Sequence, residues 1–121
     1  MSVAARVVID ESILDGYRAL QDEGQPDVVT EFIDLFLEDL PGRLDTIRLS
    51  VNAGDPPTIK SAAHALKGAS ASVGAVALSG LCAQLEANAR TGSSHGALEL
   101  LSAIEVEAIR AREELSKLRR P

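Results

Sequence analysis

The sequence predicts an all-α fold: an up-down antiparallel four-helix bundle with a short extra N-terminal helix. Three observations carry the prediction. Apolar residues recur at three- and four-residue spacing through successive segments, the periodicity of amphipathic helices. Aromatic residues are only 2% of the chain, so a core must be built from Leu, Ile, Val and Ala, a composition suited to packed helices rather than sheets. The breaks between periodic segments are short and marked by Gly, Pro and Asp, so consecutive helices must run antiparallel.

The elements follow in chain order. Asp10 is placed to cap a first short helix carrying Ile13, Leu14, Tyr17 and Leu20, which ends by "DEGQP" at Gly24 and Pro26. Pro26 suits the first turn of a second, longer helix, with Asp27 and Glu31 near its positive end. Its apolar stripe is Val29, Phe32, Ile33, Phe36, Leu37, Leu40, Leu44 and Ile47, and Pro41–Gly42 is expected to kink or split it. "NAGDPPT" stops that helix at Gly54 and starts a third, with Asp55 as cap and Pro56 in the first turn. The third helix runs to about Val73, and Gly74 marks a tight connection to a fourth carrying Leu78, Leu81, Cys82, Leu85 and Ala89. After the polar loop "ARTGSSHG", Ser93 or Ser94 is expected to cap a fifth helix. That helix carries Leu98, Leu101, Ile104, Ala108, Ile109, Leu115 and Leu118, and its basic tail "KLRRP" suits the negative end of the dipole.

No repeat, low-complexity segment or linker divides the 121 residues, so 1–121 reads as one domain with an ordered core from about residue 10 to 118. Met1 and the complete helix count favour a freestanding chain. A net charge of −6 argues against a nucleic-acid backbone or an anionic membrane as partner. No apolar run reaches membrane-spanning length, and "MSVAARVVIDES" turns acidic too soon for a signal peptide. The single cysteine, Cys82, fits a reducing compartment, and a cytoplasmic location is expected.

The chemistry concentrates in "AAHALKGASASVGA" on the third helix. On a helical wheel Ile59, Ala62, Ala63, Leu66, Ser70 and Val73 share one core stripe. With Ile59 at zero, His64 falls about 140° away, Lys67 about 80° and Gly68 about 180°, with Lys60 and Ala71 between. His64 therefore points off the core, with Lys67 and Gly68 as its neighbours one turn on. An exposed imidazole, with an unperturbed pKa near 6.5, is largely neutral and nucleophilic at neutral pH. Lys67 can meet an incoming anion. Gly68 costs about 1 kcal/mol against Ala in a helix interior, and what it gives is clearance beside the ring.

The fourth helix extends this face. With Leu78 at zero, Glu86 lies at about 80° and Arg90 at about 120° from the core stripe. Two antiparallel helices facing each other are related by a two-fold axis, so Glu86 and Arg90 should flank the face that carries His64 and Lys67. Residue 75, beside the turn at Gly74, is midway between 64 and 86, so His64 and Glu86 should be level across the hairpin. A carboxylate there can accept the Nδ1–H, fix the tautomer and leave Nε2 as the nucleophile.

The segment "AAHALKGASASVGAVALSGLCAQLEANAR" resembles the histidine-containing phosphotransfer (HPt) domains of multistep phosphorelays. Their signature is His-x-Leu-Lys-Gly, a small-residue segment, Gly-Ala, and then a helix with an acidic or amide residue opposite the histidine. "IDLFLEDLPGRL" and "AGDPPTI" are similar to the stretches that precede that signature, whose hairpin spans residues 56–91. The resemblance implies that His64 accepts a phosphoryl group from a receiver-domain aspartate and relays it to another receiver. It further implies that Lys67 stabilises the phosphate, Gly68 gives steric clearance and Glu86 orients Nδ1. Lys60, Ala71 and Arg90 are expected on the rim that docks the receiver. The implied chain is a monomeric phosphocarrier with no kinase or nucleotide site and no cofactor or metal of its own, magnesium residing on the receiver.

Two other readings compete. The bundle could bind a receiver or another signalling partner without being phosphorylated, against which the intact His-Lys-Gly trio speaks. A metal-binding bundle using His64 and Glu86 lacks the Glu-x-x-His pairs of di-iron bundles. Elsewhere, Cys82 reads as a small core residue, His95 as an ordinary loop residue, and Ser70 as either a core residue or a phosphate contact.

Overall fold

The computed structural model describes residues 7–120; the first residues of the stretch weighed as a leader, and Pro121 of the basic tail, lie outside them. The described residues form α1 (Glu11–Ala19), α2 (Val28–Ala53), α3 (Pro56–Ser72), α4 (Val76–Arg90) and α5 (Ala97–Leu118), all α-helical. Helices α2 to α5 pack in a ring, each against the next and α5 back against α2, while α1 leans on α2. The fold is the all-α bundle that the periodicity predicts.

The helix ends show why the chain breaks where it does. Asp10 caps α1 by accepting from the Ser12 amide, and Asp27 caps α2 through the Thr30 amide. Pro26 therefore lies outside α2, because the Asp27 carboxylate, a stronger start signal than a proline ring, takes the cap position. Gly54 ends α2 at φ 63°, a left-handed conformation that glycine adopts without steric cost. Asp55 stands at the N-cap of α3 without a side-chain bond, and Pro56 opens the helix. The cap expected of Ser93 or Ser94 is not made: Gly96, at φ 81°, precedes α5, and Ser93 Oγ accepts from the His95 amide within the loop.

Pro41 does not split α2, which is continuous from Val28 to Ala53. An interior proline forfeits one backbone bond and costs about 3 kcal/mol. Pro41 is exposed, and the buried Phe36, Leu40 and Ile47 hold both halves of α2 against the core. Burying each such side chain gives about 1.5–3 kcal/mol, so packing on both sides outweighs the proline.

The predicted stripe of α3 is buried in full, and so are Leu78, Cys82, Leu85 and Ala89 of α4. Burial raises the Cys82 thiol to about 12, so it packs as a small hydrophobe. Ser70 is completely buried, which makes it a core residue and removes it from phosphate contact. Leu98 and Ile109, expected in the core, are 61% and 49% exposed. The inner face of α5 is instead Ala97, Leu101, Ile104, Ala108, Ala111 and Leu115, a stripe whose alanines are weak signals in a sequence. Leu20 lies just past α1 and is exposed, and Phe32 is only partly covered.

The α3–α4 turn is pinned from outside the hairpin. Gly74 has φ 77°, and a Cβ there would come within 2.6 Å of the Asp10 carbonyl oxygen. The Asp10 amide also donates to the Gly74 carbonyl at 2.7 Å. Tyr17 adds a bond from its hydroxyl to the Ser72 carbonyl, and Arg18 grips Asp27 through two nitrogens and the Leu118 carbonyl through one. Helix α1 thus fastens the end of the hairpin to the rest of the bundle.

Candidate functional site

The site lies on the outer seam between α3 and α4. Ala62, Ala63, Cys82 and Ala89 are small, so the two helices approach closely, and Glu86 falls inside the seam. The wheel sets Glu86 on the flank of α4; the structure buries its side chain to 4% exposure while leaving that of His64 68% exposed. A carboxylate withdrawn from water needs compensating partners, and here it has three.

His64 Nδ1 lies 2.8 Å from Glu86 Oε2, Lys67 Nζ 2.6 Å from Oε1, and Arg90 Nη2 3.0 Å from Oε2. A carboxylate can only accept, so Nδ1 carries the hydrogen and Nε2 keeps its lone pair. The hydrogen bond from Lys67 is the largest influence holding the Glu86 carboxyl below its usual range, and the bond to His64 adds to it. Burial acts in the opposite sense and is outweighed. Glu86 is thus an ionised, partnered anion that fixes the imidazole tautomer and holds two cations beside it.

The remaining predicted residues fall around this centre. Gly68 is exposed, and a Cβ built on it meets nothing within 4 Å. No packing demand of the chain itself explains this glycine, and the space it leaves opens outward. Lys60 and Ala71 are exposed on the same helix, one turn before and two turns after His64. With Ser61, Lys60 and Arg90 border the open cleft at His64 and Glu86. Ser79 Oγ donates to the Lys67 carbonyl at 3.1 Å, tying α4 to the turn of α3 that bears the lysine. His95 stands apart in an exposed loop.

The sequence brought His64 and Glu86 level and placed Lys67 and Arg90 near them. It did not show that Lys67 rests on Glu86 rather than standing open to solvent, nor that one carboxylate serves all three partners. Among the described residues no group of three or more His, Cys, Asp or Glu is placed to hold a metal ion.

Known proteins resemble this chain in sequence and in fold. The Hpt domain family matches residues 31–120, which include α3, α4 and every residue of the site. The chain belongs to the Hpt domain family. Histidine-containing phosphotransfer protein 5 of Arabidopsis thaliana is 34% identical over 93 residues, 74% of this chain and 59% of the relative. Histidine-containing phosphotransfer protein 2 of the same plant is 29% identical over 93 residues, 74% of this chain and 60% of that one. This Hpt-family chain therefore spans about three-fifths of the length of those relatives. Among solved structures it superposes on histidine-containing phosphotransfer protein B (HptB) from Pseudomonas aeruginosa PAO1 with a TM-score of 0.85. The two are 29% identical, and the match covers 95% of this chain and 96% of the other. MtHPt2 from Medicago truncatula gives a TM-score of 0.79 at 25% identity, covering 92% of this chain and 76% of that one.

Proposed function

We propose that this chain is a phosphocarrier that takes a phosphoryl group from the aspartate of one receiver domain onto His64 and passes it to another. The observation that carries the reading is the bond of His64 Nδ1 to a buried, ionised Glu86, with the rest of the ring in solvent. Membership of the Hpt domain family, and relatives named as phosphotransfer proteins, support it.

The step balances simply. The Nε2 lone pair attacks the phosphorus of an aspartyl phosphate, and the bond from phosphorus to the aspartate oxygen breaks, its electron pair returning to the carboxylate. The ring, still holding its Nδ1–H, becomes positively charged, and Glu86 faces that charge at 2.8 Å. Phosphoryl departure reverses the step and releases a neutral imidazole, because the Nδ1 proton never leaves. Lys67 and Arg90, both already at the site, meet the oxygens of the incoming group. Gly68 leaves room for that group and for the receiver's loop. Lys60, Ala71 and Arg90 form the rim on which the receiver rests. The chemistry asks for no nucleotide, cofactor or metal held by this chain, any magnesium belonging to the receiver. We read the working form as a monomer in the cytoplasm, and as a carrier rather than an enzyme. No helix among the described residues is long and apolar enough to cross a membrane.

Labelling by a phosphorylated receiver tests the proposal. Wild-type protein should acquire the label and His64→Gln should not; a label that persists in the variant overturns the assignment. Gly68→Gln should keep the fold and block transfer, and transfer at the wild-type rate would refute the clearance argument. A receiver that binds tightly but never exchanges phosphate would favour a pure binding module.

A further inference from the structure

Ser79, at the end of the first turn of α4, carries a hydroxyl to which the phosphotransfer chemistry gives no part. A serine or threonine within a helix commonly turns its hydroxyl back onto the carbonyl four residues earlier. Thr46, Ser50, Ser72 and Ser116 all do so, donating to the carbonyls of Gly42, Thr46, Gly68 and Arg112. Ser79 has the same option in the Ala75 carbonyl, which accepts its amide at 2.9 Å. Its hydroxyl leaves the helix instead and donates to the Lys67 carbonyl of α3 at 3.1 Å. The one donor of this half-buried side chain is thus directed at the turn that carries the lysine.

Lys67 is thereby held at both ends by a single neighbouring helix. Its ammonium meets Glu86 Oε1 at 2.6 Å, and its carbonyl takes the Ser79 hydroxyl. Among the described residues, Ser79 and Glu86 are the positions at which side chains of α4 make polar bonds to α3. Seven residues separate them, which puts them about 20° apart around α4 and about 10 Å apart along it. A helical carbonyl points towards the C-terminus, while the side chain leans towards the N-terminus. Because α4 runs antiparallel to α3, Ser79 is level with the first and Glu86 with the second. Cys82 and Ala83, between them, are small and interlock little, so the polar bonds at either end set how far one helix slides along the other. A lysine has a flexible four-carbon stem, and its ammonium is well placed only when root and tip are both held.

We propose that Ser79 is a positioning residue for phosphotransfer. With Glu86 it clamps Lys67 by carbonyl and ammonium, and so holds the ammonium at the height where the phosphoryl group arrives. The inference rests on the phosphotransfer reading, in which Lys67 meets the phosphoryl oxygens. Ser79→Ala removes the hydroxyl and keeps the helix, since alanine is the better helix former, and should match wild type in circular dichroism. Rapid-quench transfer is then followed over a range of concentrations of a charged receiver that wild type discharges. The limiting rate should fall roughly threefold to tenfold, the effect of one hydrogen bond, with the half-saturating concentration unchanged. In a Lys67→Ala background the same substitution should cause no further loss, because Ser79 acts only through the lysine. An unchanged limiting rate in Ser79→Ala overturns the clamp and leaves the phosphotransfer reading standing. So does a further loss of equal size in the Lys67→Ala background, which would show that the hydroxyl acts through the fold. A rise in the half-saturating concentration alone would assign Ser79 to receiver binding and also overturn it. If no receiver exchanges phosphate with wild type, the phosphotransfer reading fails and the positioning role fails with it.

Discussion

At the scale of single residues, the proposed chemistry turns on Glu86. Its carboxylate takes the Nδ1–H of His64 and holds Lys67 and Arg90 in place before any phosphate arrives. Glu86→Gln keeps a hydrogen-bond acceptor but loses the charge that faces the ring when Nε2 is phosphorylated. Charge-assisted bonds contribute about 1.5–3 kcal/mol, so transfer should slow by roughly tenfold to a hundredfold, as rapid-quench kinetics would measure. An unaltered rate would show that only the acceptor matters. Lys67→Ala should slow transfer and also lower the denaturant midpoint at neutral pH without unfolding the bundle, because it takes the largest of three partners from the buried Glu86 carboxylate. His64, Lys67 and Gly68 were legible because a polar trio on a helix face breaks an otherwise apolar and small-residue pattern. The burial of Glu86 was not, since it depends on how closely two alanine-rich helices approach, and a wheel carries directions but no separations.

Single elements show where local signals ruled and where packing overrode them. Gly and Asp fixed the ends of α2 and the turn at Gly74, because a left-handed glycine or a capping carboxylate acts within a few residues. The split that Pro41 allowed does not occur because its local cost is offset by distant contacts, and Leu98 and Ile109 misled because alanines fill the inner face of α5. Gly68→Ala isolates the reason for that glycine. With open space around the new methyl group, it should stabilise α3 by up to about 1 kcal/mol, read from the shift in urea midpoint. Gly74→Ala is the contrasting case. The left-handed backbone and the 2.6 Å approach to Asp10 should cost at least about 1 kcal/mol and loosen α1 from the hairpin, visible as faster amide exchange at Asp10. A neutral Gly74→Ala would contradict the pinned turn.

On the scale of the whole molecule, the fold separates a carboxylate-rich body from a hairpin whose lone acid is buried. Stability depends on how the partnered carboxylates titrate. Arg18 holds the Asp27 carboxyl well below its usual range, and Lys67 does the same to Glu86. Groups depressed in the folded state stabilise it above their unfolded pKa and lose that contribution as pH falls through the folded value. Stability should therefore hold from neutral pH down to about 4 and decline below it, as the unfolded chain takes up protons that the folded chain refuses. Denaturation series at several pH values would measure this, and Asp27→Asn should flatten the acid limb. The arrangement of helices was readable because five periodic segments with short connections leave few ways to pack, whereas the edge-to-face contact of Tyr17 with Phe32 required the tertiary placement of α1 on α2.

Nitrogen NMR of the phosphorylated chain, with its histidines isotopically labelled, addresses the central claim most directly. The account predicts one phosphoryl group on Nε2 of His64, with the Nδ1 proton still held against Glu86. A phosphoryl group on Nδ1, or on His95, would contradict it.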